Sequence, residues 1–468
     1  MKKIRDIIIA IGITLLYSSC NEVGSSDSNV GIDIPATDNS AEVKKISLKK
    51  ETTEVPILVI IMNWNDYSET DQTLWHDKIF NKETNSLNRW YSEFSKIDKE
   101  DGESYLNLVP ANETYGTVND GIIVVDMNKN HPGDSEDTFR DIEITNAITS
   151  NTVANNVDFA AFDKDGNGIV SFTELQILFV VAGGEVSYGD SPRNSIWAHS
   201  WNYENSTPPV VDGVTLMKAS NDFYELGYYL RMGATHEIDG PHPHKAVVGI
   251  IAHEMGHSLL GQWDLYDLSG YGSGLGFYDI MSGGAWASKP DDLYDGETPT
   301  QFSAYSVMDS YYAKNITDVE TPSSVTLNCS SGESLKLETS KENEYFLLEC
   351  RDSARDISDK SFVSADASFT DNKLFAVLYH VDTQKGDNSE SGLQTPTHHY
   401  MVSVVEKSTI SLMTATPGID AEYSDVYSDG SEISQTQTAL YDGTQTGYSI
   451  VVLGSSYTDR TMIFSIRK

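Results

Sequence analysis

Two histidines of this chain are four residues apart, in the stretch His253-Glu254-Met255-Gly256-His257. Residues at this spacing lie on one face of a helix, so both imidazoles can bind a single metal ion, and imidazole is a common zinc ligand. Glu254 follows the first histidine and would lie beside the ion without binding it. Zinc acidifies water, and a neighbouring carboxylate can take the released proton and later give it to a leaving amine. The spacing therefore predicts a helix that carries a catalytic zinc ion, with Glu254 activating the zinc-bound water.

A catalytic zinc ion usually has three protein ligands and one open position. Gly261 can end the helix in a left-handed conformation, so we expect the third ligand just beyond this turn, where Asp264 offers a carboxylate. Asp267 lies further along the chain and is the nearest alternative. Three histidines that precede the helix are further alternatives: His236, His242 and His244. The zinc ligands that we predict are His253, His257 and Asp264.

A second metal site is indicated by the residues from Asp163 to Glu174, which have the spacing of an EF-hand calcium loop. Gly168 permits the sharp turn that such a loop needs. The oxygen ligands that we predict are those of Asp163, Asp165, Asn167, Ile169 (its carbonyl), Ser171 and Glu174. The loop is single and leads into an apolar run that is typical of a buried strand. We therefore expect a structural calcium ion and not a calcium-dependent switch.

The elements around these residues alternate between strands and helices. An apolar segment over residues 246–260 is expected to form the buried helix that carries both zinc-binding histidines. Residues 86–97 have apolar side chains at helical spacing, which predicts an amphipathic helix. Three apolar runs of strand length precede the zinc motif: residues 55–62, 122–125 and 175–181. This order predicts an α/β catalytic domain over residues 51–318, with a mixed sheet plus the active-site helix.

Beyond residue 318 the pattern changes to short apolar runs separated by polar turns. Seven runs have the length of strands: residues 325–327, 335–337, 345–348, 374–379, 401–405, 448–453 and 462–466. They predict an all-β sandwich domain over residues 319–468. This region contains Cys329 and Cys350, which form a disulfide or remain buried thiols; the sequence leaves both readings open.

The first twenty residues have the order of an export signal. Basic residues are followed by an apolar stretch over residues 7–16 that is too short to span a bilayer as a mature helix. Small residues then precede Cys20, as in the lipobox of bacterial lipoproteins. We therefore predict a lipoprotein signal peptide over residues 1–19, acylation of Cys20 and a flexible tether over residues 20–50. The alternative is an ordinary secretory signal with an incidental cysteine.

The charge of the chain restricts its partners. The formal net charge is -38, which repels phosphate backbones and argues against binding to nucleic acid. Contact with the membrane is expected only through the N-terminal lipid. Together these features predict an exported monomer that is lipid-anchored at the bacterial cell envelope and exposed at the surface.

Five groups of residues occur in a fixed order along the chain. They are residues 196–201 (IWAHSW), 253–257 (HEMGH) with 264–267 (DLYD), 278–282 (YDIMS), 344–349 (EYFLLE) and 378–382 (LYHVD). As an ordered set they resemble the immune inhibitor A-type family of secreted bacterial zinc metallopeptidases. The resemblance implies a zincin-like catalytic domain, with Asp264 as third ligand and Met281 in a turn under the metal. Gly261 stands four residues after His257, where the family pattern has three.

These observations predict a zinc-dependent endopeptidase that hydrolyses peptide bonds of extracellular proteins. The other hypothesis is a catalytically inactive surface lipoprotein that binds glycans or host proteins through its β-sandwich. A decayed enzyme would be expected to have lost Glu254 or a ligand histidine, and neither is lost, so we favour the enzyme. Three side chains are candidates for stabilising the transition-state oxyanion, and the sequence does not rank them: His199, Tyr266 and Tyr305.

Overall fold

The computed structural model describes residues 43–48, 53–83, 85–95, 106–134, 142–268, 272–310, 314–320, 323–354, 359–362, 373–388, 398–405, 407 and 425–468. The predicted signal peptide, the predicted acylation of Cys20 and the predicted tether before residue 43 lie outside these residues. Within the described ranges, no helix is long and apolar enough to cross a membrane.

The described residues contain twenty-one strands, arranged in four sheets. In chain order the strands are β1 (Val43–Leu48), β2 (Thr53–Asn63), β3 (Leu106–Pro110), β4 (Ile122–Asp126), β5 (Ile169–Val170), β6 (Gln176–Glu185), β7 (Ser195–Ile196), β8 (His199–Trp201), β9 (Val210–Val211), β10 (Val214–Leu216), β11 (Tyr229–His236), β12 (His244–Lys245), β13 (Lys314–Val319), β14 (Ser323–Asn328), β15 (Ser334–Lys341), β16 (Glu344–Asp352), β17 (Leu374–Asp382), β18 (Val402–Val404), β19 (Glu432–Ile433), β20 (Ser449–Ser456) and β21 (Thr461–Arg467).

The described α-helices lie in the first two thirds of the chain. They are α1 (Gln72–Phe80), α2 (Leu87–Phe94), α3 (Ile144–Ile148), α4 (Asn151–Ala154), α5 (Val248–Leu260) and α6 (Ala304–Asp309). The helix predicted over residues 86–97 is α2, which begins after Ser86 because the Ser86 hydroxyl accepts a hydrogen bond from Arg89 N at 3.1 Å. Its apolar stripe packs inward, and the Tyr91 hydroxyl donates to the Ala252 carbonyl of α5 at 2.9 Å.

An eight-stranded mixed sheet supports α5, in the order β12-β11-β6-β2-β3, with β4 beside β2, β7 beside β6 and β8 beside β11. The central pairs β2–β6 and β6–β11 are parallel, whereas β8 and β12 run antiparallel to β11. Strands in the middle of such a sheet are covered on both faces, which explains why the sequence shows them as continuous apolar runs. The mixed sheet predicted for the first region is therefore confirmed. A small sheet, β5-β10-β9, lies beside the loop that ends at Glu174.

Two antiparallel sheets form the C-terminal region. One has the order β13-β1-β15-β16-β17-β18, the other β14-β21-β20-β19, and one apolar cluster joins them. Side chains of β16 alternate between two cores: Phe346 and Leu348 face this cluster, whereas Tyr345 and Leu347 belong to the cluster that contains α5. The six-stranded sheet and the helix of the zinc motif therefore contribute to one shared apolar core. Cys329 and Cys350 form a disulfide bond, which decides between the two readings left open by the sequence.

The flexible tether predicted over residues 20–50 is wrong for Val43–Leu48. These residues form β1, paired between β13 and β15 of the six-stranded sheet. Val43 and Ile46 are buried in different apolar clusters, on opposite faces of the strand. The three apolar residues of this strand, at positions 43, 46 and 48, follow no regular period, and the partners of the strand lie far along the chain, so local sequence could not predict it.

Candidate metal centre

Helix α5 ends at Gly261, which has a φ of 70°. Its backbone N–H donates to the His257 carbonyl at 3.1 Å, and Gln262 N donates to the Gly256 carbonyl at 3.2 Å. This left-handed turn pairs the last carbonyls of the helix and reverses the chain. The residue inserted between His257 and Gly261 thus adds to the end of the helix, and Asp264 still returns to the face that carries both histidines.

Three predicted ligands converge at this position. The Nε2 atoms of His253 and His257 lie 3.2 and 3.3 Å from Asp264 Oδ1. Their imidazole rings are 5.0 Å apart between centroids and nearly perpendicular, at 88°. One nitrogen of each imidazole and one carboxylate oxygen all lie within 4.8 Å of one another. Such a set of two nitrogens and one oxygen is suited to a divalent zinc ion.

Backbone carbonyls hold both imidazole rings in place. The Nδ1 atom of His253 lies 2.9 Å from the Ile280 carbonyl, and that of His257 lies 2.7 Å from the Gln262 carbonyl. Because Nδ1 donates its N–H to a carbonyl, Nε2 is the nitrogen that faces Asp264, and loss of its proton would leave a lone pair there for a metal ion. No motif in the sequence indicated these two carbonyls, because backbone groups carry no sequence signal.

The charges of the three side chains are strongly coupled. Burial opposes ionisation of both histidines, but the Asp264 carboxylate outweighs it and raises the pKa of His257 to about 9 and that of His253 above its ordinary value. The same contacts outweigh burial at Asp264 and hold the pKa of its carboxyl well below the usual range. The carboxylate is therefore ionised at neutral pH and supplies the negative charge that a divalent cation requires.

Glu254 lies beside this group and is 5% exposed. Burial raises the pKa of its carboxyl above the ordinary value, although His253 and His257 act in the opposite direction. The backbone N–H of Ser200, on the strand β8, donates to this carboxylate. A buried carboxyl with a raised pKa is a stronger base than an ordinary carboxylate, which suits a group that takes up and releases a proton.

The turn over residues 278–282 lies against α5. A Cβ atom on Gly256 would lie 2.6 Å from the Met281 sulfur, so glycine at this position lets Met281 pack directly on the helix. Asp279 is fully buried, and its carboxylate accepts hydrogen bonds from Met281 N at 2.7 Å and Ser306 Oγ at 2.6 Å. Asp279 therefore fixes the turn whose Ile280 carbonyl holds His253.

The six-stranded sheet contacts the same turn, and residues between its strands β17 and β18 contact the chain after Gly261. Arg351 donates to the Tyr278 carbonyl at 2.5 Å, and Asn388 Nδ2 donates to the Leu265 carbonyl at 2.9 Å. The Tyr400 hydroxyl donates to Asp267 Oδ2 at 2.9 Å. Asp267, the nearest alternative ligand in the sequence, is thus bound to the C-terminal region and lies outside the group of converging ligand atoms.

The family model of the immune inhibitor A peptidase M6 catalytic domain matches residues 81–318. This match covers half of the chain and includes α5 and the turn under it. The chain belongs to the immune inhibitor A peptidase M6 family.

Similar proteins agree with this family. The chain is 32% identical over 152 residues to "Immune inhibitor A" of Bacillus thuringiensis subsp. alesti, covering 31% of this chain and 20% of the relative. It is 28% identical over 195 residues to "Pre-pro-metalloprotease PrtV" of Vibrio cholerae serotype O1, covering 38% of this chain and 19% of the relative. The chain therefore spans about a fifth of the length of these relatives.

The remaining candidates of this M6-family chain lie in other environments. The Tyr305 hydroxyl lies 3.5 Å from the Met401 sulfur in a core, which does not favour a role at the metal centre. His199 lies on β8, where its ring contacts Tyr229, and Tyr266 is buried. His236 and His244 lie across from each other on β11 and β12.

The predicted calcium loop also brings its acidic side chains together. Oxygens of Asp163, Asp165 and Glu174 lie within 4.8 Å of one another. Asp163 Oδ1 accepts from Asn167 N at 3.0 Å, and Glu174 Oε2 accepts from Ser171 N at 2.9 Å. The loop passes through β5 and enters β6, the buried strand that the sequence predicted.

Proposed function

We propose that this chain is a zinc-dependent endopeptidase that hydrolyses peptide bonds of extracellular proteins. The observation that carries the proposal is the convergence of His253 Nε2, His257 Nε2 and Asp264 Oδ1 beside the buried carboxyl of Glu254. The family match and the similarity to PrtV, a protein named a pre-pro-metalloprotease, support it. The catalytically inactive alternative is not favoured, because the proton-transferring side chain and all three donor side chains are present.

A zinc ion held by His253, His257 and Asp264 would polarise the scissile carbonyl and acidify a water molecule. Glu254 is the group that would accept the proton of the attacking water and deliver it to the leaving amine. The Ser200 N–H and the two imidazoles favour its ionised form against the effect of burial. The carbonyls of Ile280 and Gln262 would keep the imidazoles in the orientation that binds the ion.

In this proposal the catalytic unit is a zincin-like domain over residues 51–318, and residues 319–468 form a β-sandwich whose six-stranded sheet also includes β1 and β13. The contacts of the β-sandwich support a structural role for it. Arg351 and Asn388 each donate to a carbonyl of a segment that flanks the metal centre. We also propose that the chain is exported and anchored by an acylated Cys20, which substitution of Cys20 by Ser tests: the variant should no longer fractionate with membranes.

The decisive test is the hydrolysis of a peptide library by the wild type and by Glu254→Gln. The variant should lose activity by at least about 100-fold, the usual lower bound for general acid–base catalysis, while its zinc content stays the same. Glu204→Gln is a matched control, since Glu204 is an exposed residue of the same region. Equal activity of Glu254→Gln and the wild type, or no activity in zinc-loaded wild type, would contradict the proposal.

We further propose a structural calcium ion bound by the loop from Asp163 to Glu174. Asp163 Oδ2 and Glu174 Oε1 each accept one backbone N–H, from Gly168 and Lys164, and each keeps a second lone pair for a cation. Calcium in hundredfold excess over its dissociation constant should raise the free energy of unfolding by about 2.7 kcal/mol. Glu174→Gln should abolish this gain, and Glu204→Gln should retain it. An equal response to calcium in wild type and Glu174→Gln would reject the site.

A further inference from the structure

Two histidines outside the metal centre face each other across an antiparallel strand pair. His236 of β11 is directly opposite His244 of β12. Side chains at directly opposed positions lie on the same face of a sheet with their Cβ atoms close together. The two rings are 5.3 Å apart between centroids, at an interplanar angle of 77°. This arrangement closely matches that of His253 and His257, which are 5.0 Å apart at 88°.

Three of the four ring nitrogens of this pair lack hydrogen-bond partners among the described residues. His236 is completely buried, and neither of its ring nitrogens has a partner there. The Nδ1 atom of His244 lies 3.0 Å from the His242 carbonyl, whereas its buried Nε2 has no partner in the described part of the chain. Buried polar atoms in folded proteins are almost always paired with protein, water or an ion. The Nδ1 contact is the one that metal-binding histidines usually make.

Aromatic rings stack on the faces of both imidazoles. Tyr188 stacks on His236 at 4.2 Å between centroids, and Tyr294 stacks on His244 at 3.5 Å and 3°. Stacking occupies the faces of the imidazoles and leaves their edges, where the nitrogen lone pairs lie. The rings are therefore fixed before any ion binds, which reduces the conformational entropy that binding costs.

Charged groups around the pair act in both directions. Glu237 and Glu297 interact electrostatically with His244 in the sense that favours a positive charge. Lys78 of α1 opposes a positive charge at both histidines. Burial is the largest effect and lowers the pKa of both histidines, so the imidazoles are neutral and their nitrogens can bind a metal. Imidazole selects borderline transition metals over calcium or magnesium.

We propose that His236 and His244 form a second metal site, which binds a divalent transition metal ion such as Zn²⁺ or Cu²⁺ through one nitrogen of each ring. Water would complete the coordination. The ion would tie β12 to β11 just before α5 begins at Val248, and so fix the start of the helix that carries His253 and His257. Its role is structural, and it does not depend on peptidase activity.

The test uses the untagged full chain with His253→Ala and His257→Ala, so that the first centre cannot bind metal. Cu²⁺ is the probe, because it binds nitrogen sites most tightly among the first-row divalent ions. One equivalent of Cu²⁺ should bind, and its electron paramagnetic resonance spectrum should show coupling to two imidazole nitrogens. Adding His244→Ala should abolish this signal, whereas adding His242→Ala, at an exposed neighbouring histidine, should leave it unchanged.

A second measurement separates metal binding from folding. His244 is only partly buried, so His244→Ala should have the circular dichroism spectrum of its parent and the same melting temperature in chelator. Zinc should raise the melting temperature of the parent and of His242→Ala but not that of His244→Ala. Absence of bound Cu²⁺ in the parent, or an unchanged signal after His244→Ala, would overturn the proposal.

Discussion

The guanidinium group of Arg351 donates a 2.5 Å hydrogen bond to the carbonyl of Tyr278, 73 residues earlier in the chain. Arg351 is fully buried, and its Nε donates to Glu349 at 2.7 Å. A buried cation and carboxylate stabilise a fold only together, because either one alone would remain charged in apolar surroundings. The turn that presents the Ile280 carbonyl to His253 is therefore supported from the six-stranded sheet.

Arg351→Met should lower the free energy of unfolding by about 3–5 kcal/mol, since it leaves the Glu349 and Asp359 carboxylates buried without their cation. Urea denaturation monitored by circular dichroism measures this change. Arg467→Met is the matched control, because Arg467 is exposed on β21 and its loss should change stability by no more than about 0.5 kcal/mol. Equal losses in the two variants would refute the role given to Arg351.

Asp279→Asn should weaken zinc binding and stability together. The carboxylate accepts from Met281 N, Ser303 N and Ser306 Oγ at 2.6–2.8 Å, and an amide would direct N–H groups at some of these donors. The expected cost is about 1–3 kcal/mol in unfolding free energy. Zinc affinity, measured by competition with a chelator, should fall by about 10–100-fold, as for other residues that orient metal ligands.

The control for this prediction is Asp291→Asn, at an exposed residue of the same region. It should leave zinc affinity unchanged. If Asp279→Asn reduced stability but kept the zinc affinity of the wild type, the turn would support the fold without positioning His253.

The helix of the metal centre could be predicted because its signals are local. An apolar segment, the spacing of His253 and His257, and Gly261 as the terminating residue all lie within sixteen residues, and each has a direct physical meaning. The strands of the C-terminal region were predictable for the same reason, since β14 to β18, β20 and β21 each overlap one of the seven apolar runs.

The contacts that complete the centre could not be predicted, since they join distant residues through backbone groups. The carbonyl of Ile280 and the N–H of Ser200 have no side-chain signature, and which strand reaches Glu254 depends on sheet order. The pairing of β1 with β13 and β15 is likewise set by long-range register. Asp279 could have been identified from the sequence, because it belongs to the Tyr278–Ser282 segment. Its hydrogen-bond partners Ser303 and Ser306 could not.

The carboxyl of Glu344 gives a prediction for stability at low pH. Burial opposes its ionisation, but hydrogen bonds from His380 and Lys341 outweigh burial and lower its pKa from an ordinary 4.5 to about 2. A group with a depressed pKa in the folded state contributes stability above its unfolded pKa, and this contribution is lost as the pH falls through the folded value. The free energy of unfolding should therefore decline between about pH 4.5 and about pH 2.

Glu344→Gln should show a shallower decline over this range, because the titrating group is absent. Urea denaturation at several pH values measures both slopes. Glu432→Gln, at an exposed residue of β19, should follow the wild type. Parallel curves for wild type and Glu344→Gln would show that this carboxyl does not control acid stability.

A comparison of Asp264→Ala with Asp267→Ala should distinguish a residue that binds the metal from a residue that stabilises the fold around it. Without Asp264 the centre keeps only two imidazoles, fewer than the three protein ligands of a catalytic zinc site. Loss of a residue that only orients a metal ligand lowers metal affinity by about 10–100-fold. Loss of a ligand itself should therefore lower the zinc affinity by more than about 100-fold, and activity should be lost in parallel. Asp267 accepts from Tyr400 across the interface with the C-terminal region, so Asp267→Ala should lower the free energy of unfolding by about 1–3 kcal/mol and retain most of the zinc affinity. Zinc content after dialysis, measured together with urea denaturation, decides between the two roles, and retention of zinc by Asp264→Ala would remove this carboxylate from the ligand set.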